Sequence, residues 1–326
     1  MSSTNPLRLG ILGCANIAKA FVRDVAPSKQ VSLCAVASRV LATAQTFAQD
    51  CALTRATSHG SYEALLADPD IDAVYIPLPN HLHAEWAIRA AQSGKHIMCE
   101  KPLTLSLADA QAMFAAAEKH GVVLLEAYPY RFQPQTNDLL ALLTQDTIGQ
   151  IRSMHACFGF SLAVGTNNIR WQPLAGGGAL LDAGSYPLSL IRLIMGQAPT
   201  RVLADARWAE TGVDIGMTAL LRYADGRQAS MSCAMDAANH RQAVISGSKG
   251  TLETEYLNHT AAAGMSHPLG FQVSSMRLRR GVANNIPFEP LVSAPAATGS
   301  GFLFAAEAFA ALVASRDSGQ LSQAKQ

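Results

Sequence analysis

Charge is scarce in this chain. Asp, Glu, Lys and Arg make up 15% of its 326 residues, well under the usual quarter or so. The 25 cations and 24 anions leave a net charge of +1. A near-neutral chain lacks the clustered cations that grip a phosphate backbone, so nucleic acid is excluded as a general partner. Long apolar runs are missing too. The stretch from Gly301 to Ala314 falls short of a membrane span and contains Glu307. The opening Met1-Ser2-Ser3-Thr4-Asn5-Pro6 lacks the basic-then-apolar order of a secretory leader. The six cysteines (14, 34, 51, 99, 157 and 233) show no CxxC spacing and several lie in apolar strand-like runs. They read as reduced core residues of a cytoplasmic protein. What remains is a chain 49% hydrophobic, long enough for two domains with their own cores.

The first half alternates short apolar runs with longer helical patterns. Leu7–Gly13, Val31–Ala37, Ala73–Ile76, His96–Cys99 and Val122–Glu126 read as strands buried on both faces. Helical patterns lie between them, at 17–26, 40–49, 61–67, 81–93 and 106–120, with Gly94 and Gly121 at expected stops. This rhythm predicts an α/β, doubly wound parallel sheet (Rossmann) over residues 1–128. Beyond residue 130 the rhythm changes. A helix at 136–143, a strand at 151–160 and an apolar helix at 179–195 precede strands at 202–208, 217–223, 228–234 and 243–246, joined by short turns. Residues 129–326 are therefore expected to form an α+β domain on a large, open, mostly antiparallel sheet. A final helix, 302–316, is expected to pack back on the body. Residues 257–300 carry no readable pattern. The turn Ser246-Gly247-Ser248-Lys249-Gly250 reads as a hairpin. Arg277-Leu278-Arg279-Arg280 reads as a solvated strand edge.

The first strand runs into Gly13-Cys14-Ala15-Asn16-Ile17-Ala18. On the G-x-G-x-x-G/A template Gly13 makes the tight turn, Ala15 replaces the second glycine, and Ala18 permits close packing of helix on strand. Such a turn also occurs in α/β proteins that bind no nucleotide; its place after the first strand and at the head of a helix favours a dinucleotide. An NAD site usually ends its second strand with Asp or Glu. Here the strand ends Val36-Ala37-Ser38-Arg39. A hydroxyl and a guanidinium suit a 2′-phosphate, so NADP is preferred to NAD.

Two further segments fall at carboxyl ends of parallel strands, where ligands of open α/β sheets bind. One is Ile76-Pro77-Leu78-Pro79-Asn80-His81-Leu82-His83; the other is Cys99-Glu100-Lys101-Pro102. A lysine directly after a buried strand must be solvated or paired, and Glu100 and Pro102 on either side suggest a held geometry. Taken alone, Glu-Lys-Pro also fits a plain polar strand end. His81 and His83, two apart on a helix, would point away from each other, and no Cys/His/Asp grouping completes a metal site.

Taken in order, the glycine turn, Pro79-Asn80-His81-Leu82-His83, Glu100-Lys101-Pro102, Glu126-Ala127-Tyr128-Pro129-Tyr130-Arg131-Phe132 and the Gly176–Tyr186 segment GGGALLDAGSY resemble the Gfo/Idh/MocA oxidoreductase family. The likeness is greatest to its NADP-dependent D-xylose dehydrogenase and dimeric dihydrodiol dehydrogenase branch, and it fades after about Thr251. It implies hydride transfer between a nicotinamide and a sugar or polyol carbon, with a trans-dihydrodiol dehydrogenase or a non-catalytic NADP sensor as alternatives. It makes Lys101 a catalytic residue beside the reacting carbon, with Asp182 in a catalytic position. Tyr186 stands where many relatives carry His, which leaves Lys101 and Tyr186 as rival principal acid/bases. If the helix is continuous, Asp182 and Tyr186 share a face. The resemblance implies cofactor contacts from Gly13, Ala15, Asn16, Ile17, Ser38, Arg39, Pro77, Pro79, Asn80, His83, Glu100 and Lys101. It places Arg131, Arg170 and Trp171 in the substrate pocket. It also implies a homodimer through the second domain's sheet.

Overall fold

The computed structural model describes residues 5–163, 168–255, 276–283, 285–291 and 300–317. They fall into two units, Met1–Pro129 with Gly299–Gln326, and Tyr130–Thr298. The tail from Gly299 thus groups with the first unit rather than with the second.

The first unit is a parallel sheet of six strands in the order β3-β2-β1-β4-β5-β6. Its strands are β1 (Leu7–Leu12), β2 (Val31–Ala37), β3 (Thr57–His59), β4 (Ala73–Ile76), β5 (His96–Glu100) and β6 (Leu124–Ala127). The helices α1 (Asn16–Val25), α2 (Leu41–Asp50), α3 (Tyr62–Leu66), α4 (His83–Gln92) and α5 (Leu107–Lys119) alternate with them. This is the doubly wound architecture expected. β4 and β5 are buried at every residue, which is why they read as unbroken apolar runs. Serines open two helices: Ser61 accepts from the Ala64 amide at 3.1 Å and Ser106 from the Asp109 amide at 3.0 Å, each cap worth about 1 kcal/mol. β1 pairs with β2 on one side and β4 on the other. The winding reverses there, so the crevice for a ligand opens at the carboxyl end of β1.

The second unit contains α6 (Pro134–Thr144), β7 (Ile151–Ser161), a π-turn over Leu180–Gly184 and α7 (Ser185–Met195). Seven strands follow: β8 (Arg201–Trp208), β9 (Asp214–Arg222), β10 (Gln228–Ala234), β11 (Asp236–Gly247), β12 (Gly250–Thr254), β13 (Met276–Arg280) and β14 (Glu289–Leu291). Their order is β14-β13-β12-β11-β7-β10-β9-β8. The sheet is mostly antiparallel, with one departure. β7 and β10 run parallel, because α7 carries the chain across the sheet between β7 and the meander β8-β9-β10. The segment 246–250 is the β11–β12 hairpin. β13 is not an edge: it is paired on both sides, and Arg277 meets Glu253 while Arg279 lies over the Phe288 ring. One sheet face is buried through residues such as Met154, Met231 and Ile245, while Leu203 and Leu220 stand exposed on the other.

The last helix, α8 (Gly301–Asp317), belongs to the first unit. Phe302 sets its edge on Phe21, which stacks on Tyr75 at 3.9 Å. Glu307 accepts from the Ser28 hydroxyl at 2.8 Å and Arg316 donates to the Gly121 carbonyl at 2.7 Å. All three rings are fully buried, so truncating any one to Ala costs about 3–5 kcal/mol. Among the described residues no helix is long and apolar enough to cross a membrane.

Candidate active site

Residues of the first unit converge on the carboxyl edge of its sheet. Gly13 has φ +114°, and its N–H donates to the Ala37 carbonyl at 2.9 Å, joining the ends of β1 and β2. The positive φ favours glycine, and a Cβ there would lie 2.8 Å from Leu78 Cδ2, so Leu78 would have to shift. Ala15, extended at φ −71° and ψ 157°, precedes α1 and offers no side-chain cap; no acid stands in the first turn. The helix therefore presents uncapped amides, with Asn16 exposed and Ile17 half-buried beside them. Uncapped amides and the positive end of the helix dipole suit a pyrophosphate. At the end of β2, Arg39 is exposed and forms no ion pair among the described residues. Ser38 is half-buried beside it, and α2, capped only by the apolar Val40, follows directly. One residue was missed in the sequence. Tyr62 packs edge-on against Trp86, and its hydroxyl lies 3.8 Å from the Cβ position at Gly13. Burial pushes this phenol up, and the charge of Arg39 pulls it the other way.

The loop after β4 buries Pro77 and leaves Pro79 and Asn80 half-exposed at the edge. His83 is a correction. It was expected at the cofactor but is wholly buried at the head of α4, with Nδ1 2.9 Å from the Pro102 carbonyl and Nε2 2.7 Å from that of Leu78. Both nitrogens face backbone carbonyls, and the single N–H of a neutral imidazole donates to one of them, so His83 sits between the loop after β4 and the loop after β5. Burial lowers its pKa, more than the carbonyls raise it. The β5 loop begins with Glu100, which accepts from Tyr75 Oη at 2.7 Å and from the Lys101 amide at 3.3 Å. Burial raises the Glu100 pKa, while the Tyr75 bond and the Lys101 charge oppose it. The Lys101–Pro102 peptide is cis. Beyond it Glu126 accepts from the Leu103 amide at 2.8 Å. Lys101 is half-exposed between these held points.

A second cluster lies within the second unit. Asn168 caps a short turn by accepting from the Arg170 amide at 3.0 Å. Gly178, at φ +111°, donates to the Arg170 carbonyl at 3.0 Å. The glycine-rich loop therefore lies on the backbone of Arg170 and brings its Nε to 2.5 Å from Asp182 Oδ2. Burial lowers the Arg170 pKa, but the Asp182 carboxylate and the nearby Tyr186 phenol more than offset it. Tyr186 is buried against Phe158 and Tyr130, and the Tyr130 hydroxyl donates to Ser189 at 2.8 Å. The helix is not a continuous α-helix as expected. Residues 180–184 form a π-turn before α7 begins. π-turns concentrate at functional sites, and Pro187, lacking an N–H, falls in the first turn of α7, where it is tolerated. Arg131 is exposed on the turn Pro129–Phe132 and forms no bond to this cluster. Trp171 takes the core position that its aromatic character also allowed. Expected in the substrate pocket, it is buried, and its indole N–H donates to the Ala163 carbonyl at 3.0 Å. It braces the loop. The six thiols form no disulfide, burial pushes Cys99 well up, and Cys233 is pushed up to about 12.

A glycine turn feeding an uncapped helix, with Lys101 held after β5 on the same sheet edge, suits an oxidoreductase that binds a nicotinamide dinucleotide on a Rossmann unit. Comparison with known proteins narrows this class. Residues 7–128 match the model of an oxidoreductase family with an NAD-binding Rossmann fold, and residues 137–253 match the GFO/IDH/MocA C-terminal domain. The chain belongs to the Gfo/Idh/MocA family. It is 39% identical over 270 residues to a D-xylose 1-dehydrogenase (NADP(+)) of Haloferax volcanii, covering 80% of each chain. It is 36% identical to a trans-1,2-dihydrobenzene-1,2-diol dehydrogenase of Xenopus tropicalis, over 75% of this chain and 74% of that one. Among solved structures it resembles a 3-ketoreductase from Actinomadura kijaniata in complex with NADP and TDP-benzene. There the TM-score is 0.82 at 31% identity, with 96% of this chain and 91% of that one covered.

Proposed function

We propose that this chain is an NADP(H)-dependent oxidoreductase acting on a carbinol or carbonyl carbon of a sugar or polyol, with Lys101 as its catalytic cation. The observation that carries the reading is the Lys101 loop, held by Glu100, His83 and Glu126 on the same sheet edge as the Gly13 turn and Arg39. Gly13 and the amides at the head of α1 would hold the pyrophosphate, Ser38 and Arg39 the 2′-phosphate, and Pro79 and Asn80 the nicotinamide ribose. The cofactor supplies the hydride acceptor or donor. In the oxidative direction an alcohol and NADP⁺ give a carbonyl compound, NADPH and a proton. In the reductive direction the Lys101 ammonium would donate its proton to the developing alkoxide, and in the oxidative direction Lys101 would take the alcohol's proton back as the hydride leaves. Asp182 and Arg170 orient the substrate hydroxyls, and Tyr186 is the second candidate for the proton.

Arg170, the half-exposed cation of the second cluster, is already paired with Asp182. This favours a neutral sugar over a nucleotide-linked one. A trans-dihydrodiol is the second reading, favoured by the 36% identity to a dehydrogenase of that class. A non-catalytic sensor has no use for a held lysine. We also propose a cytoplasmic homodimer that covers the exposed Leu203 and Leu220 face of the β8–β9 sheet.

The test is NADPH formation against a panel of aldoses, polyols and trans-dihydrodiols, with NAD⁺ in parallel. Turnover with one class and a preference for NADP⁺ is expected. Lys101→Ala should cut turnover by roughly 10²-fold or more while NADPH still binds. Turnover retained in Lys101→Ala moves the acid/base role to Tyr186.

A further inference from the structure

We infer that Asp214 is a positioning residue for the substrate cluster, setting the distance between Arg170 and Asp182 through the start of the helix that carries Asp182 and Tyr186. The inference rests on the proposed roles of those residues. Ala179, which precedes the π-turn, offers that helix no side-chain cap. Asp214 supplies one from the first residue of β9, accepting from the Leu180 amide through Oδ2 at 2.6 Å. It is 8% exposed, so its carboxylate is committed to this contact rather than to solvent.

A second observation fixes the other oxygen. A Cβ at Gly178 would lie 2.1 Å from Asp214 Oδ1, so the carboxylate occupies the space that the missing side chain leaves. Gly178 in turn donates to the Arg170 carbonyl. One buried carboxylate therefore sits between the loop that leads back to Arg170 and the helix that leads on to Asp182. A negative charge also suits a helix N-terminus, which makes the contact to Leu180 a charge-assisted one. Without it the glycine loop, which has little stiffness of its own, would no longer register the guanidinium against the carboxylate. Small displacements of positioning groups are costly in rate: about 1 Å can lose 10²-fold.

The experiment compares full-length Asp214→Ala, Asp214→Asn and Gly178→Ala with the parent. Asp214→Asn keeps an acceptor for Leu180 and loses the charge; Gly178→Ala displaces the carboxylate but also strains the backbone at φ +111°, so it counts against the inference if kcat is kept and not for it if kcat falls. For Asp214→Ala, kcat should fall about 10- to 100-fold, with KM changed less and the Kd for NADPH within about twofold, since the cofactor residues lie in the other unit. Amide hydrogen exchange over residues 179–186 should quicken. Asp214→Asn should restore kcat to within several-fold of the parent, and Gly178→Ala should reproduce the Asp214→Ala pattern. Should Asp214→Ala fail to fold, Asp214→Asn carries the test through the split of kcat against KM and hydrogen exchange over residues 179–186, and parental kcat in Gly178→Ala overturns the inference. An Asp214→Ala enzyme with parental kcat would overturn the inference, as would a loss of kcat only in step with loss of NADPH binding. Asp182→Asn and Tyr186→Phe run alongside: if both keep full turnover, the roles assigned to the cluster fall and this inference with them. If both are damaged while Asp214→Ala and Gly178→Ala are not, only the inference falls.

Discussion

Arg39→Ala is the sharpest perturbation of the cofactor site. Arg39 is exposed, has no ion-pair partner among the described residues, and follows a β2 strand with no carboxylate at its end. A hydrogen bond to a charged group contributes about 1.5–3 kcal/mol. For a solvent-facing guanidinium, screening lowers this to about 1–2 kcal/mol. This converts to a loss of roughly 5- to 30-fold in NADPH affinity. NADH lacks the phosphate, so its affinity should move by less than about twofold on the same scale. Titration calorimetry with both cofactors, at low and at high salt, measures these quantities. The NADPH penalty should shrink at high salt, because exposed charges are screened over about 8–10 Å at physiological ionic strength. Losing NADH and NADPH affinity by the same factor would refute the phosphate contact and reduce Arg39 to an ordinary surface residue. An unchanged NADPH affinity would move the phosphate to Ser38 and Tyr62.

Two other outcomes follow from the first unit. Gly13→Ala must hold a positive φ, at a cost of about 1–3 kcal/mol, and must displace Leu78, 2.8 Å from the new methyl. NADPH binding should be lost and the melting temperature lowered; a variant that binds NADPH with parental affinity contradicts the turn geometry. Acid should destabilise the same unit through His83 and His96, whose pKa values burial lowers. The unfolded chain takes up these protons near pH 6.5 and the folded chain only at lower pH, so their contribution is intact above that point and is lost as pH falls below it. Glu100, raised by burial, acts oppositely, its contribution being lost as pH rises above the ordinary carboxylate range. The decisive comparison is therefore the slope of melting temperature against pH in the parent and in His83→Gln. A parental slope in the variant excludes His83 as the source.

The first unit was largely legible because parallel strands covered on both faces must be apolar throughout, and the residues that follow them stand out by contrast. Gly13, Arg39 and Lys101 were singled out as candidates that way. β3 was not, since Thr57-Ser58-His59 is short and polar, nor was the first half of β11, where Asp236–Arg241 carries little apolar signal. Residues 257–300, unreadable in the sequence, proved to hold β13 and β14 among the residues described. His83 and Trp171 show a different limit. Sequence shows which side chains are present but not which way they turn, and both direct their N–H groups at backbone carbonyls.

Position along the chain encodes the cofactor edge because a doubly wound sheet brings every βα junction to one side. The substrate cluster has no such rule. Arg170 meets Asp182 only because the glycine loop folds back on the Arg170 carbonyl, and that loop is set by Asp214, 34 residues beyond the amide it caps. Nothing in composition, period or spacing marks that aspartate. The roles of Asp182 and Tyr186 were accordingly available before the structure only through family resemblance. The residue that holds them in register is set by tertiary contact alone, the Asp214 carboxylate filling the space that Gly178 leaves.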